Sequence, residues 1–187
     1  MPDIDIDFAD RNLILQKIEH RIAKLPNGKK HNTGIYITEI PHNPVNNIST
    51  INYKDADNRK YFKLDILNVS LYKDIKDENH LEQLMKKEPL WELLEYKEFV
   101  DKLFHLQGHY DICSVIKPKS VEELAIVLAL IRPAKKDLIV ESKDIILNKI
   151  WQKPTNGEYY FKKAHAVSYA MAIVVQMNLI CETLKNT

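Results

Sequence analysis

The sequence has 187 residues, with 45% hydrophobic and 28% charged side chains, an ordinary globular composition for about one domain. Its 4 Gly, 8 Pro and 2 Cys exclude collagen-like chains, low-complexity chains and disulfide-rich secreted domains. The 27 Lys and Arg balance 26 Asp and Glu, so composition alone does not indicate a dedicated nucleic-acid binder.

The first part of the chain predicts a small sheet. Asp alternates with Ile or Phe over residues 3–8, and this period of two predicts a strand with one acidic and one apolar face. Apolar residues then recur at helical spacing, so we expect a helix over 11–25 that ends at a Pro-Asn-Gly turn. Further strands are predicted at 34–40 and 61–67, with a Pro- and Asn-rich loop, 41–47, after the first of these.

From residue 79 onward the apolar spacing is helical. Ser120 and Glu123 have the spacing of a capping box, and they open a helix that we expect to end at Arg132-Pro133. The last helix is predicted over 163–185. Polar residues interrupt its apolar stretch, so we interpret it as a buried helix and expect a soluble, cytoplasmic protein with no membrane partner.

The acidic strand has a possible partner in Asp65. Successive side chains on one strand face lie about 7 Å apart, where like charges repel, and Mg²⁺ bound by the carboxylates removes that cost. If strand 61–67 lies beside strand 3–8, Asp65 meets Asp5 and Asp7, with Lys63 one step along. Paired carboxylates that bridge two Mg²⁺ ions suit nucleotidyl transfer. The alternative is a solvent-facing acidic edge that discourages aggregation.

Six segments, in order along the chain, resemble the α subunit of bacterial DNA polymerase III, the C-family replicative polymerases. Residues 2–8 (PDIDIDF) are similar to the family's active-site signature PDxDxDF. The other segments are KHNTGI (30–35) for KHAGGV, FKLDIL (62–67) for KFDFLG, FHLQ (104–107) for FQLES, KPKSVEELAIVLALIRP (117–133) for KPxSFEDLIALxALYRPGP, and FKKAHAVSYAMAIVVQM (161–177) for FNKSHAAAYALxxYQ.

The resemblance implies an α+β fold, with a small polymerase-β-like nucleotidyltransferase palm sheet over 1–70 and a helical fingers-like region over 71–187, packed as one compact unit. It implies two Mg²⁺ ions as cofactors, for which Mn²⁺ substitutes. The implied catalytic and metal-holding residues are Asp5, Asp7 and Asp65, with Asp3 as a further acidic neighbour. The implied nucleotide-binding residues are Lys63, Arg132, Lys163, His165 and Tyr169.

Purely structural roles are the alternative for several of these residues. Lys63 would neutralise the carboxylates, Arg132 would mark a helix end, and His165 and Tyr169 would pack in the core. Positions 165, 169, 172 and 176 share one face of the last helix, and we expect this polar face to be turned toward a nucleotide.

The chain also departs from the family. Only a few residues between 25 and 30 stand where the family has its thumb, 137–157 replace a longer fingers segment, and Met1 directly precedes the signature. We therefore expect transfer from a (deoxy)nucleoside triphosphate to a DNA 3′ hydroxyl, with weak, salt-sensitive binding of primer-template DNA and a partner protein that supplies the duplex grip. The alternatives are an inactive remnant that acts as a binding or regulatory module in a replication complex, and a nucleotidyltransferase with another acceptor.

Overall fold

A computed structural model describes residues 4–155 and 158–185 of the chain. The chain divides into two compact units, Met1–Ile75 and Lys76–Thr187. The first contains a five-stranded mixed sheet, and the second is built of helices. The predicted α+β class is therefore confirmed. The unit boundary lies near the change at residue 70 that the sequence predicted.

The first unit is a sheet with strand order β1-β5-β3-β2-β4. Its strands are β1 (Ile4–Phe8), β2 (Arg21–Lys24), β3 (Lys30–Tyr36), β4 (Ile48–Asn52) and β5 (Leu64–Asn68). Its helices are α1 (Arg11–Leu15), α2 (Tyr53–Asn58) and a 3₁₀ helix at Ser70–Asp74. The pairs β1–β5 and β2–β4 are parallel, whereas β2–β3 and β3–β5 are antiparallel. A small core of Tyr36, Ala23, Ile40 and Ala56 joins the sheet to α2.

Strands β1 and β5 are neighbours, as the sequence predicted for 3–8 and 61–67. Their register pairs Asp5 with Asp65 and Ile6 with Ile66. Alternation along the strands therefore puts the aspartates of both on one face of the sheet. On the other face Ile66 is 2% exposed, whereas Ile6 on the edge strand is 36% exposed.

The prediction of a helix over 11–25 is correct only for α1 and is wrong for the residues after Leu15. Asp10 caps α1 by accepting a hydrogen bond from the backbone N–H of Asn12, and the helix ends at Leu15. Residues of β2 then pair with β3 on one side and β4 on the other. Hydrogen bonds from two neighbouring strands outweigh a local apolar periodicity, because helical propensity is a weak preference that tertiary context overrides.

Other strand predictions are shifted or incomplete. The strand predicted at 34–40 lies earlier, at β3, and the strand predicted at 61–67 lies slightly later, at β5. Strand β4 and helix α2 fall in a stretch for which the sequence predicted no element. Asn52 explains where α2 begins, since its side chain accepts hydrogen bonds from two backbone N–H groups of the first turn.

The described part of the second unit consists of helices and the loops that connect them. Its helices are α3 (Glu78–Lys86), α4 (Lys97–Val100), α5 (Tyr110–Ile116), α6 (Val121–Leu130), α7 (Lys143–Lys149) and α8 (Lys163–Lys185), with 3₁₀ helices at Trp91–Glu95 and Pro133–Val140. The predicted start of α6 is confirmed, because Ser120 Oγ accepts from the backbone N–H of Glu123 at 3.2 Å. Its predicted end before Pro133 and the predicted bounds of α8 are confirmed as well.

Helices α6 and α8 form the centre of the second unit. Residues 124–130 of α6 are all buried, and Ala166, Ala170, Ile173 and Met177 of α8 join the same core. By length and composition α8 also meets the criteria for a membrane span, with 44% of its most apolar window buried in the protein. A core helix of a soluble protein has the same properties.

Candidate functional site

The three predicted catalytic aspartates lie on the neighbouring strands β1 and β5. Asp5 is the register partner of Asp65, and Asp7 follows two residues along β1 on the same face. Asp5 and Asp7 are exposed, whereas Asp65 is only 7% exposed. Asp3, the further acidic candidate, lies outside the described residues. Strand order places β1 at the edge of the sheet, so among the described residues no strand lies on the outer side of this carboxylate pair.

Both oxygens of Asp65 accept hydrogen bonds. Lys63 Nζ pairs with Oδ2, and Thr33 Oγ1 donates to Oδ1 at 2.7 Å. His31 Nδ1 lies 3.7 Å from Oδ1. However, this nitrogen accepts the backbone N–H of Gly34 at 2.9 Å, so it carries a lone pair and does not donate to Asp65. In this arrangement Lys63 neutralises a buried carboxylate, which is one of the two roles that the sequence left open.

Gly34 allows these side chains to approach the sheet closely. A Cβ at this position would lie 3.0 Å from Lys63 Cδ and 3.1 Å from His31 Cγ. The ammonium of Lys63 also lies 5.9 Å from the ring centroid of Tyr53 on α2. Sequence reasoning missed Gly34 and Thr33 as parts of the site. The register that pairs Gly34 with Asp65 would have revealed them, but the strand was predicted to begin only at residue 34.

Two side chains on or beside β1 have raised pKa values. Although Asp7 is exposed as a residue, partial burial of its carboxyl group raises its pKa, and the charge of Asp5 raises it further. Burial and then the charge of Asp7 raise the pKa of Tyr72 in the same way. A divalent cation bound beside Asp5 and Asp7 would offset the repulsion between their carboxylates. Carboxylate oxygens are the donors that Mg²⁺ prefers. Across residues 4–155 and 158–185, however, no group of three or more His, Cys, Asp or Glu side chains is arranged to hold a metal ion.

Arg132, one of the predicted residues, lies against an aromatic pair in the second unit. Its guanidinium carbon lies 3.8 Å from the ring centroid of Phe161, and that ring stacks on Tyr169 at 5.5 Å with an interplanar angle of 12°. Nε and Nη2 of Arg132 are buried and have no hydrogen-bond partner within the described part of the chain. Burial lowers the pKa of Arg132, and nearby Tyr159 and Tyr169 partly oppose this effect. The structure therefore brings Arg132 and Tyr169 together on one aromatic ring.

Two histidines lie in the electrostatic field of Arg132. Burial lowers the pKa of His105 and of His109, and the positive charge of Arg132 lowers both further. The ring of His105 packs 4.8 Å from that of Tyr169. Neither histidine was among the predicted site residues, since their spacing indicated no metal site. Their proximity to Arg132 depends on the loop before α5, which no local pattern reveals.

The remaining predicted residues lie along α8. Lys163 is exposed at its first position, and His165 is half-buried. The face that continues through 172 and 176 does not stay polar and open. Ala172 is buried, and Gln176 accepts from the backbone N–H of Phe104 at 2.7 Å and donates to the carbonyl of Lys102 at 3.0 Å. The far half of the face expected to meet a nucleotide therefore packs against the loop at 102–104.

The predicted site residues divide between the two units. The carboxylates and Lys63 lie in the first unit, and Arg132, Lys163, His165 and Tyr169 lie in the second. No protein-family model, no curated protein and no solved structure matches the chain.

Proposed function

We propose that this protein is a nucleotidyltransferase similar to the polymerase III α core, which transfers a nucleotide from a (deoxy)nucleoside triphosphate to a DNA 3′ hydroxyl. The observation that carries the proposal is the parallel pairing of β1 with β5, in which Asp5 and Asp65 are register partners and Asp7 lies on the same face. Lys63 compensates the charge of Asp65, and a divalent cation would lower the repulsion between Asp5 and Asp7. Nucleotidyl transfer is one of the reactions that use carboxylate-bound metal ions, and the resemblance to polymerase III α selects it among them.

The donor chemistry of this face fits Mg²⁺. Asp5 and Asp7 would hold the ions, since both are exposed, and Asp65 would join them after Lys63 moves away. When bound, Mg²⁺ supplies the Lewis acidity that activates the attacking hydroxyl and stabilises the leaving pyrophosphate. Lys63 would then exchange its carboxylate partner for a triphosphate oxygen. Thr33 would keep Asp65 oriented during that exchange, because it holds the other carboxylate oxygen.

The second unit supports the proposal through Arg132. A guanidinium whose buried Nε and Nη2 have no partner in the described structure is costly, and an anion with several oxygens satisfies it. The cation–π contact with Phe161 holds the guanidinium against one ring face and leaves its other side for a phosphate. Lys163, His165 and Tyr169 are assigned to the triphosphate by resemblance. The near-neutral net charge of +1 favours weak, salt-sensitive DNA binding and a partner protein for the duplex.

Primer extension tests this proposal directly. The purified protein is incubated at low salt with labelled primer-template, four deoxynucleoside triphosphates and Mg²⁺ or Mn²⁺. We expect extension by the parent and none by Asp5→Asn/Asp7→Asn. Asp74→Asn is the matched control, because it removes an exposed carboxylate of the same unit outside the strand pair. Extension by the double variant at the parent rate would refute the proposal.

A specific observation favours a second candidate, an inactive module that binds within a replication complex. Lys63 and Thr33 occupy both oxygens of Asp65, as in a structural ion pair rather than an open metal site. Thermal unfolding separates the two candidates. An active site predicts that a nucleoside triphosphate raises the melting temperature only when Mg²⁺ is present, since ligands that bind the folded state stabilise it. The inactive module predicts no such metal-dependent shift and no extension.

A further inference from the structure

A cavity of about 260 Å³ opens in the second unit beside the 3₁₀ helix Trp91–Glu95 and α5. Two aromatic side chains, Trp91 and Tyr110, form part of its wall. Each has its polar atom bonded already, because Trp91 Nε1 donates to Glu88 Oε1 at 2.5 Å and the Tyr110 hydroxyl donates to the Glu95 carbonyl at 2.9 Å. The two rings therefore present carbon surface to an occupant, which suits a flat, weakly polar body.

The inner lining of the cavity offers little hydrogen bonding. Cys113 is 1% exposed, and burial raises the pKa of its thiol to about 12, so it stays neutral. Ser114 donates its hydroxyl to the carbonyl of Asp111 at 2.8 Å. Polar recognition therefore falls to four charged lining residues, which are exposed and form no side-chain ion pair within the described residues, although the charge of Lys119 also helps to lower the pKa of Glu123. The four residues are Glu92, Glu95, Lys117 and Lys119.

Lys117 has an unusual backbone for a lysine. It caps α5 in the left-handed conformation, at φ 49° and ψ 61°, and its N–H donates to the Cys113 carbonyl at 2.7 Å. Glycine is the usual residue at such a helix end, because it adopts this conformation without a steric cost. The backbone at this position therefore has no need of a side chain, whereas the cavity gains an ammonium from it. Lys119 adds a second ammonium two residues along.

We propose that this cavity binds a nucleoside monophosphate, with its base against Trp91 and Tyr110 and its phosphate at Lys117 and Lys119. Two ammoniums match a phosphate monoester, which carries about −1.5 to −2 charge at pH 7, better than a single carboxylate. The base N–H groups donate to a carboxylate of the 91–95 segment. Guanine fits best, since its two adjacent N–H donors match the two oxygens of one carboxylate.

The size of the cavity limits the occupant to a single base. Its volume is slightly below the range of about 300–1,000 Å³ that drug-sized ligands occupy. A dinucleotide is therefore too large, and the phosphate of a mononucleotide lies at the charged rim. This site is separate from the residues assigned to nucleotidyl transfer, so the two proposals stand or fall independently.

Calorimetric titration of the full chain with guanosine monophosphate tests the proposal. The buffer contains low salt and EDTA, so that binding through metal ions at the aspartates of β1 does not contribute. We expect saturable binding at one site, and at least tenfold weaker binding of guanosine and of inorganic phosphate. Lys117→Gly should raise Kd about tenfold without lowering the urea midpoint, because the backbone then loses its strain. Lys60→Gly is the matched control: this lysine of the first unit also has a positive φ, 67°, and does not line the cavity, so Kd should not change.

The following outcomes would overturn the proposal. Absence of saturable binding, or a Kd that Lys117→Gly leaves unchanged, would mean that the cavity is not the site. Tighter binding of free tryptophan than of guanosine monophosphate would mean that the charged rim recognises an amino acid instead. An equal loss of affinity in Lys60→Gly and in Lys117→Gly would also overturn the assignment to the cavity.

Discussion

The ion pair between Lys63 and Asp65 gives the sharpest test of the first unit. Replacing Lys63 with methionine keeps the length of the side chain and removes the charge. The side chains of Lys63 and Asp65 are only 16% and 10% exposed, so water does not replace the lost partner well. The carboxylate of Asp65 then keeps Thr33 as a donor to one oxygen and has no cation on the other.

The expected cost follows from burial. Removing one partner of a buried ion pair lowers the free energy of unfolding by about 3–5 kcal/mol, because the other charge stays buried without compensation. The hydrogen bond from Thr33 survives, and its net worth is about 1 kcal/mol. We therefore expect Lys63→Met to lower the free energy of unfolding by about 2–4 kcal/mol. Lys63→Met/Asp65→Leu should recover most of this loss, because apolar side chains of similar volume replace a buried pair at little cost.

Urea unfolding of the parent, both single variants and the double variant at pH 7 measures these values as a double-mutant cycle. The coupling energy should be at least about 2 kcal/mol. Thr33→Val, which removes only the neutral donor, should cost about 1 kcal/mol. A loss below about 0.5 kcal/mol for Lys63→Met would refute the reasoning, since that is the value of a solvated surface pair.

Three further predictions follow from other parts of the structure. Gly34→Ala should cost about 1–3 kcal/mol in urea unfolding, because the added methyl overpacks the site; an unchanged midpoint would contradict this. Burial, and then the charge of Arg132, lower the pKa of His105 and His109, so the folded state binds fewer protons than the unfolded state. Stability should therefore be full above the unfolded pKa of about 6.5 and fall as pH drops below it, and His105→Asn/His109→Asn should flatten the profile of urea midpoint against pH. The buried Cys113 thiol should resist disulfide reagents at pH 8 until urea is added, as peptide mapping would show; rapid labelling of the native chain would contradict its burial.

The sequence was most informative where local signals and tertiary contacts agree. Helix α6 has a hydrogen-bonded cap at Ser120 and a proline that follows its end, so both ends could be predicted without any knowledge of what packs on it. Helix α8 has no such signals, but its long apolar pattern is sustained over 23 residues, and length itself separates it from a strand.

The prediction failed where a short apolar pattern fits two structures. Between 11 and 25 the apolar residues satisfy helical spacing, yet Ile22 pairs with Ile35 on one side and Ile48 on the other. Strand β4, which supplies one of these partners, was itself missed. A central strand takes its stability from neighbours that lie far away in sequence, so a window of ten residues does not contain the information that decides its structure.

The candidate site shows the same division. Alternation along β1 was enough to put Asp5 and Asp7 on one face, and the pairing with Asp65 then needed only one correct guess about strand order. Thr33 and Phe161 were not predicted as site residues, because each acts through a contact with a residue distant in sequence. What the sequence predicted was the set of charged groups, and what it lacked was the neutral side chains that orient them.

The charged groups of the two clusters indicate which kind of ion each cluster would bind. Burial, and then the charge of Asp5, raise the pKa of Asp7, and a cation bound beside this carboxyl would favour its ionised form. The buried N–H groups of Arg132 have no acceptor in the described structure, and an anion would supply one. These two requirements have opposite signs and can be measured separately, with Mg²⁺ alone for the first and inorganic pyrophosphate with EDTA for the second. Mg²⁺ should raise the melting temperature of the parent but not of Asp5→Asn/Asp7→Asn, and pyrophosphate should raise that of the parent but not of Arg132→Gln. Absence of either shift in the parent would contradict the corresponding requirement.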